Sequence, residues 1–184
     1  MNQTQLASCR LKDHTLVELG RVDLQDRERL LNGFKRISKK TNIARFHTFK
    51  KQFTEDEIQY LLTLDNINQL AVGAIDPEIK DVGIGLARYV RSEPESAEAE
   101  VAIIIIDAYQ GKGLGKLLYT ELMKQAYRNN IRTFINYVKK DNLAMIQLLK
   151  SLGAIKRFEY EQVFEFSVDL PSALARLNAS EERH

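Results

Sequence analysis

The stretch Gln110-Gly111-Lys112-Gly113-Leu114-Gly115 has the residue types and spacing to hold an anion. It follows an apolar run over residues 101–106 and opens a helical pattern that continues to about residue 129. Alternating glycines let a backbone turn where a Cβ would clash and let it approach a ligand closely. The first turn of a helix leaves N–H groups without partners, and the helix dipole adds partial positive charge there. A phosphate satisfies both. Lys112 and Lys116 would add charge nearby. The same residues also suit a tight strand-to-helix turn that binds nothing.

Two familiar glycine motifs are excluded. A P-loop needs an earlier glycine and a Ser or Thr after Gly-Lys; position 106 is Ile, Lys112 precedes Gly113, and Lys116 precedes Leu117. A dinucleotide fingerprint fails at Lys116 and Leu118, and the next strand pattern ends in Lys139-Lys140 rather than in an acidic residue.

These motifs sit in a chain of 184 residues, the size of one domain over 1–184, or of one domain with a small extension. A core of that size needs no disulfide. The lone Cys9 cannot form an internal bridge, and Met1-Asn2-Gln3-Thr4-Gln5 lacks the apolar core of a leader. A reducing cytoplasmic location is expected. No apolar run approaches the roughly 20 residues that span a membrane, so no membrane partner is expected. The net charge of +2 gives no reason to expect nucleic acid. A basic stretch (Lys35, Arg36, Lys39, Lys40, Arg45, Lys50, Lys51) reads first as a solvated face, with a partner surface or phosphate contact as alternatives. An acidic stretch (Glu93, Glu95, Glu98, Glu100) is either solvated or attractive to a cationic amine. His14, His47 and His184 lack ligand spacing, so no metal is expected. A Cys9–His47 nucleophile pair stays open.

Around the glycines, the periodicity predicts a strand pair over residues 9–22 turning at Lys12-Asp13-His14. Helices follow, one capped by Asp23, a short one over 41–46 and one capped by Thr54 that ends near Asp65. Strands are expected over 69–76, 81–91, 97–107 and 133–138, with Gly83 and Gly85 as bulge or close-approach points. The helix from Lys112 carries Leu114, Leu118, Leu122 and Ala126 on one stripe. Asp141 caps a helix to Leu152, Gly153 stops it, and strands over 155–159 and 162–168 precede a terminal helix over 171–179 and a frayed tail over 180–184. Interleaved strands and helices give an α/β or α+β fold with a mixed sheet.

The run Ala99-Glu100-Val101-Ala102-Ile103-Ile104-Ile105-Ile106, then Gln110 to Gly115, then Asp141-Asn142 and Gly153, resembles the GNAT family of N-acetyltransferases over about residues 81–154. Asp26 to Leu31, Arg45-Phe46 and Tyr60-Leu61 to Asp65 resemble more weakly the acetyltransferase domain of bacterial protein-lysine acetyltransferases. Neither a cyclic-nucleotide domain nor a synthetase-like domain is expected beside it. The resemblance implies acetyl-CoA as donor, a primary amine as acceptor, and a mostly antiparallel sheet flanked by helices. Its central strands would part between residues 100–106 and 133–138. It places pantetheine along the backbone of Ile104, Ile105 and Ile106, with main-chain donors near Ile104 for the developing oxyanion. Pyrophosphate would lie on Gly111, Lys112, Gly113, Leu114, Gly115 and Lys116, with Gln110 at the entrance. Asn142 matches a coenzyme contact and equally suits a helix start beside Asp141.

Glu100 matches the family's base position. A lysine-like amine has an unperturbed pKa of about 10.4, and attack on a thioester needs the free amine, so a carboxylate must take the proton. Glu100 shares a strand face with Ala102, Ile104 and Ile106, an apolar setting expected to raise its pKa. The family's usual tyrosine acid is replaced by Leu148-Leu149, leaving Tyr137, solvent or unaided departure of the thiolate. Ala154 replaces a common aromatic after Gly153 and implies a changed pocket wall. The expected activity is N-acetyl transfer to a small amine or a protein lysine, by a monomer or homodimer. A non-catalytic CoA sensor or partner-binding module is the alternative, and a longer acyl donor depends on pocket shape.

Overall fold

The computed structural model describes residues 5–79 and 81–181. The strands are β1 (Gln5–Arg10), β2 (Leu16–Arg21), β3 (Gln69–Ile75), β4 (Gly83–Arg91), β5 (Glu98–Ile105), β6 (Thr133–Lys139), β7 (Ile155–Glu159) and β8 (Val163–Asp169). The helices are α1 (Arg27–Phe34), α2 (Lys39–Phe46), α3 (Glu55–Leu62), α4 (Leu114–Arg128), α5 (Leu143–Ser151) and α6 (Leu170–Glu181). One eight-stranded sheet runs β1-β2-β3-β4-β5-β6-β8-β7, antiparallel throughout except for β5–β6. Parallel neighbours need a crossover, and α4 supplies it.

The two faces are covered differently. On one lies α4, whose predicted stripe of Leu114, Leu118, Leu122 and Ala126 is buried to 1 % exposure or less. The stripe is wider than predicted, because Tyr119 is also buried and donates to Asn136 of β6 at 3.0 Å. On the other face lie α1, α2 and α3, where Leu30, Ile58 and Leu62 pack against Val22, Ala71 and Leu86. Phe34, Phe46 and Phe53 meet there with ring centroids 4.6 to 6.0 Å apart, which ties α1 to the end of α2.

Several predicted boundaries move for local reasons. α3 stops at Leu62, not near Asp65, because the Asp65 carboxylate accepts from the amides of Ile67, Asn68 and Gln69 at 2.8 to 2.9 Å and builds a turn. Asp23 caps a 3-10 turn that leads into α1. α4 starts at Leu114 instead of Lys112, since Gly111 and Gly113 have φ of 73° and 94°. Asn142, not Asp141, caps α5. The tail expected to fray from residue 180 is helical through Glu181, and residues 182–184 lie outside the described residues. Among the described residues no helix is long and apolar enough to cross a membrane.

The expectation for Gly83 and Gly85 holds in both forms. The β3–β4 register shifts between Ala74 and Ile75, opposite these two glycines. Gly83 also receives α1, since a Cβ on Gly33 would sit 2.3 Å from the Gly83 carbonyl oxygen. The Gly33→Ala variant should therefore lose about 1–3 kcal/mol of stability, the usual cost of overpacking. Urea unfolding with an unchanged midpoint would show that α1 is not seated on β4 in this way.

Candidate active site

The β5–β6 ladder is short. It pairs Glu98 with Thr133, Ala99 with Phe134 and Glu100 with Ile135, and stops. β5 continues beside β4 to Ile105, while β6 continues beside β8 to Lys139. The strands therefore part after Glu100, where the family resemblance placed the splay. The Ile106 amide donates to the Ile84 carbonyl at 3.1 Å. By the alternation of an antiparallel ladder, Ala102 and Ile104 also direct their main-chain groups toward β4. Ile103 and Ile105 direct theirs into the gap. Of the isoleucines expected to line the pantetheine, Ile105 thus faces the gap, Ile104 and Ile106 are committed to β4, and Ile103 joins Ile105. The Ile105 carbonyl accepts from the Gln110 side chain at 2.9 Å.

Beyond β5, a 3-10 turn over Asp107–Tyr109 leads into the glycine bend. Among the described residues, the amides of Gly111, Lys112, Gly113, Leu114 and Gly115 have no acceptor; the first helical bond runs from Lys116 to Gly113 at 3.1 Å. Gly113 occupies the cap position and no side chain caps the helix. A Cβ on Gly115 would lie 3.2 Å from Ile105 and 3.7 Å from Leu148, so this glycine lets α4 start close to β5 and α5. The amides on which the sequence reading placed an anion are thus unclaimed donors among the described residues.

The bend is held from three sides. Tyr109 is buried and donates to Asp76 at 2.7 Å; burial and that carboxylate push its phenol up to about 12. Lys112 pairs with Asp13 at 2.8 Å, and its carbonyl accepts from the Lys12 amide at 3.0 Å. Lys112 therefore anchors the β1–β2 turn, whereas the sequence suggested a phosphate contact; Lys116 is exposed and has no ion pair among the described residues. Asp107 accepts from the Ser38 amide at 2.8 Å and the Thr41 hydroxyl at 3.1 Å, and Gln110 donates to Thr41 at 3.0 Å. Burial pushes the Asp107 carboxyl up, but these hydrogen bonds outweigh it and hold it below its usual value. The start of α2 is thereby fixed to the bend, an anchor the sequence did not reveal.

At α5, Asn142 Oδ1 accepts from the Met145 amide at 3.2 Å, while its Nδ2 has no partner among the described residues. Leu149 is fully buried and Leu148 points at Gly115, so no proton donor stands where the family's tyrosine would be. Tyr137 lies on β6 beyond the last rung and is 44 % exposed. Burial raises its phenol, as do the charges of Glu165 and Glu100.

Glu100 is exposed, contrary to the buried apolar setting expected for it, because α2 and α3 leave that face of β5 open. It opens into a groove of about 350 Å³ shared with Arg45, Lys50, Glu57, Tyr60, Arg88 and Ala102. Arg88 donates to Gln69 Oε1 at 2.6 Å and stacks on Tyr60, 4.3 Å from the ring centroid. Arg45 stacks on Phe46 at 5.0 Å. Arg45 and Lys50 thus leave the solvated basic face; Lys35, Arg36, Lys39, Lys40 and Lys51 remain on it. Behind Ile104 lies an apolar cavity of about 210 Å³, also lined by Leu30, Phe34, Phe46, Gly73 and Leu86. The Cys9–His47 pair is not assembled: Cys9 packs under α4 with its thiol raised by burial, and His47 ends α2 on the opposite face.

The clamp on the bend can be tested by titration. Hydrogen bonds from Lys112, then Thr15, hold the Asp13 carboxyl down to about 2 from an ordinary 3.8. A carboxyl depressed in the folded state stabilises that state above its ordinary value and loses this as pH falls toward 2. Carboxyl-carbon NMR should show a midpoint near 2, moving toward 3.8 in Lys112→Met. A midpoint near 3.8 in the unaltered chain would refute the clamp.

With this geometry in hand, the relatives are informative. The model of the acetyltransferase (GNAT) domain matches residues 17–155. Acetyltransferase Pat of Mycolicibacterium smegmatis is 34% identical over 150 residues, 79% of this chain and 43% of that protein, so the chain spans less than half of this relative. An acetyltransferase of Pseudomonas aeruginosa is 32% identical over 71% of this chain and 70% of its own length. The GNAT domain of PAT from S. lividans superposes with a TM-score of 0.82 at 22% identity, over 89% of this chain and 96% of that one. The yncA structure from Salmonella typhimurium, which holds acetyl-CoA, superposes with a TM-score of 0.69 at 17% identity, over 84% and 94%. A model match over most of the chain, relatives above 30% identity and a common fold agree: the chain belongs to the GNAT family of acetyltransferases.

Proposed function

We propose that this chain is an acetyl-CoA-dependent N-acetyltransferase acting on a protein lysine. The observation that carries the reading is a coincidence along β5: a carboxylate, Glu100, at the last rung, a parted strand pair beyond it, and unclaimed amides at residues 111–115 after its end. Bound acetyl-CoA would supply an acyl thioester, a carbon activated toward amines. The amides of Gly111 to Gly115 would hold its diphosphate, with Lys116 adding charge. The outward main-chain groups of Ile103 and Ile105 would align its arm, and Asn142 Nδ2 offers a further donor. The Ile103 amide would stabilise negative charge developing at the acyl oxygen. Glu100 would take the proton from the lysine ammonium, directly or through water. With Leu148 and Leu149 in place of an acid, Tyr137 and solvent are the proton sources for the departing thiol. The groove at Glu100 is open and rimmed by exposed Tyr60, which suits an acceptor carried on a macromolecule.

The absent acid also favours a second reading, a CoA sensor without turnover. Glu100→Gln separates the two. Thiol release should fall by roughly 10²–10⁴, the usual worth of a general base, with acetyl-CoA affinity retained in calorimetry. Unchanged turnover would remove Glu100 from the mechanism. No thiol release from the unaltered chain with any lysine-bearing protein would favour the sensor.

The anion site has its own test. A Cβ at Gly111 meets nothing within 4 Å, and Asn and Asp tolerate its φ of 73° best among side chains. Gly111→Asp should bind acetyl-CoA at least about tenfold more weakly than Gly111→Asn, by charge alone. Equal affinities would place the diphosphate elsewhere.

A further inference from the structure

The charges in the Glu100 groove do not balance. Lys50 is matched by Glu57 at 2.5 Å. Arg88 is fixed by neutral oxygens, Gln69 Oε1 and the Tyr60 carbonyl, and its buried Nε has no partner among the described residues. Arg45 is half-buried and, among the described residues, forms no hydrogen bond or ion pair; it stacks on the Phe46 ring. Its position in the last turn of α2 is compatible with a simple dipole contact, yet carbonyl dipoles do not neutralise a full charge. Glu100 is thus the one carboxylate set against two guanidiniums. Admitting a lysine ammonium leaves three cations facing one carboxylate, and incompletely hydrated cations without a counter-charge are costly.

A carboxylate arriving with the lysine restores the balance. We propose that the groove selects an acceptor lysine flanked by an acidic residue, the amine going to Glu100 and the neighbouring carboxylate to Arg45. This rests on the acetyltransferase reading and names the substrate class of that site. A guanidinium stacked on an aromatic ring presents its planar fork ready for bidentate pairing with a carboxylate. Arg88 supports it: its charge adds to the positive potential at Arg45, which Glu100 offsets only in part. The apolar edge fits a folded or peptide partner: Tyr60 is 56% exposed on the groove and Phe49, just before Lys50, is 50% exposed. Side chains of this kind are enriched where proteins meet.

The test uses the full chain, acetyl-CoA and a set of lysine peptides identical except for Asp or Asn at each of the positions flanking the lysine. For at least one flanking position, kcat/KM should be at least about tenfold higher with Asp, the size expected of one charge-assisted contact. In Arg45→Met the Asp-to-Asn ratio should fall toward one, and in Arg45→Lys, which keeps charge but loses the fork, it should lie between. If Arg45→Met does not fold, the Lys variant and the unaltered chain carry the comparison. No preference for Asp in the unaltered chain overturns the proposal. A preference untouched in Arg45→Met overturns it as well, as does faster transfer to free amino acids than to any peptide. Transfer to no peptide while acetyl-CoA still binds defeats the lysine acceptor and this inference together; loss of acetyl-CoA binding itself would instead defeat the underlying acetyltransferase reading.

Discussion

The structure depends on where one parallel ladder ends. β5 and β6 are held together through Glu100 and Ile135, after which each turns to its outer neighbour, β4 or β8. A strand in the middle of a sheet normally satisfies its main chain on both sides. β5 beyond Glu100 does so on one side; Ile103 is left with its donor and acceptor facing the gap, and Ile105 with its donor, since Gln110 takes its carbonyl. The interruption sits at the carboxyl end of β5, directly before the glycine bend, so two sets of unsatisfied amides lie in succession along the chain. Such groups are costly to bury without partners, and a ligand with a polar arm and a diphosphate is a chemically sensible partner for both.

The surrounding contacts are best understood as keeping that end of the sheet rigid. Tyr109 on Asp76, Lys112 on Asp13, and Asp107 on Ser38 and Thr41 fasten the bend to β3, to the β1–β2 turn and to α2. Gly33 against Gly83 seats α1 on β4, and the Phe34–Phe46–Phe53 group carries that placement to the end of α2. Arg45 and Glu100 therefore face one groove because this packing sets α2, and with it the Phe46 ring under Arg45, beside β5. The groove is polar where the neighbouring cavity behind Ile104 is apolar, and Arg45, Phe46, Phe53 and Leu61 form the wall between them.

Much of this was legible in the sequence because it is local. The glycine bend, the α4 stripe, the caps at Asp23 and Thr54 and the strand spans follow from residue type and period. The splay followed from family resemblance, since no pattern in residues 98–105 says where pairing to a distant strand ends. The parts that escaped are set by tertiary placement. Parity along β5 is fixed by the Ile106–Ile84 bond, which exchanged Ile103 for Ile104 and Ile106 at the gap. Lys112 reads as a phosphate contact until Asp13 is found beside it. Glu100 reads as buried from its neighbours Ala102 and Ile104, but its exposure depends on how far α2 and α3 cover that face of the sheet. Arg45 and Arg88 lie 43 positions apart and meet only once α2 and β4 are stacked.

If acetyl-CoA lies on the unclaimed main-chain amides after β5, backbone amide NMR during an acetyl-CoA titration will report it. The amides of Gly111, Lys112, Gly113, Leu114 and Gly115, with Ile103 and Ile105, should shift most and together, while those of Ala102 and Ile104, already bonded to β4, shift less. Saturating binding that leaves residues 111–115 unmoved, or shifts centred on a different part of the sheet, would contradict it.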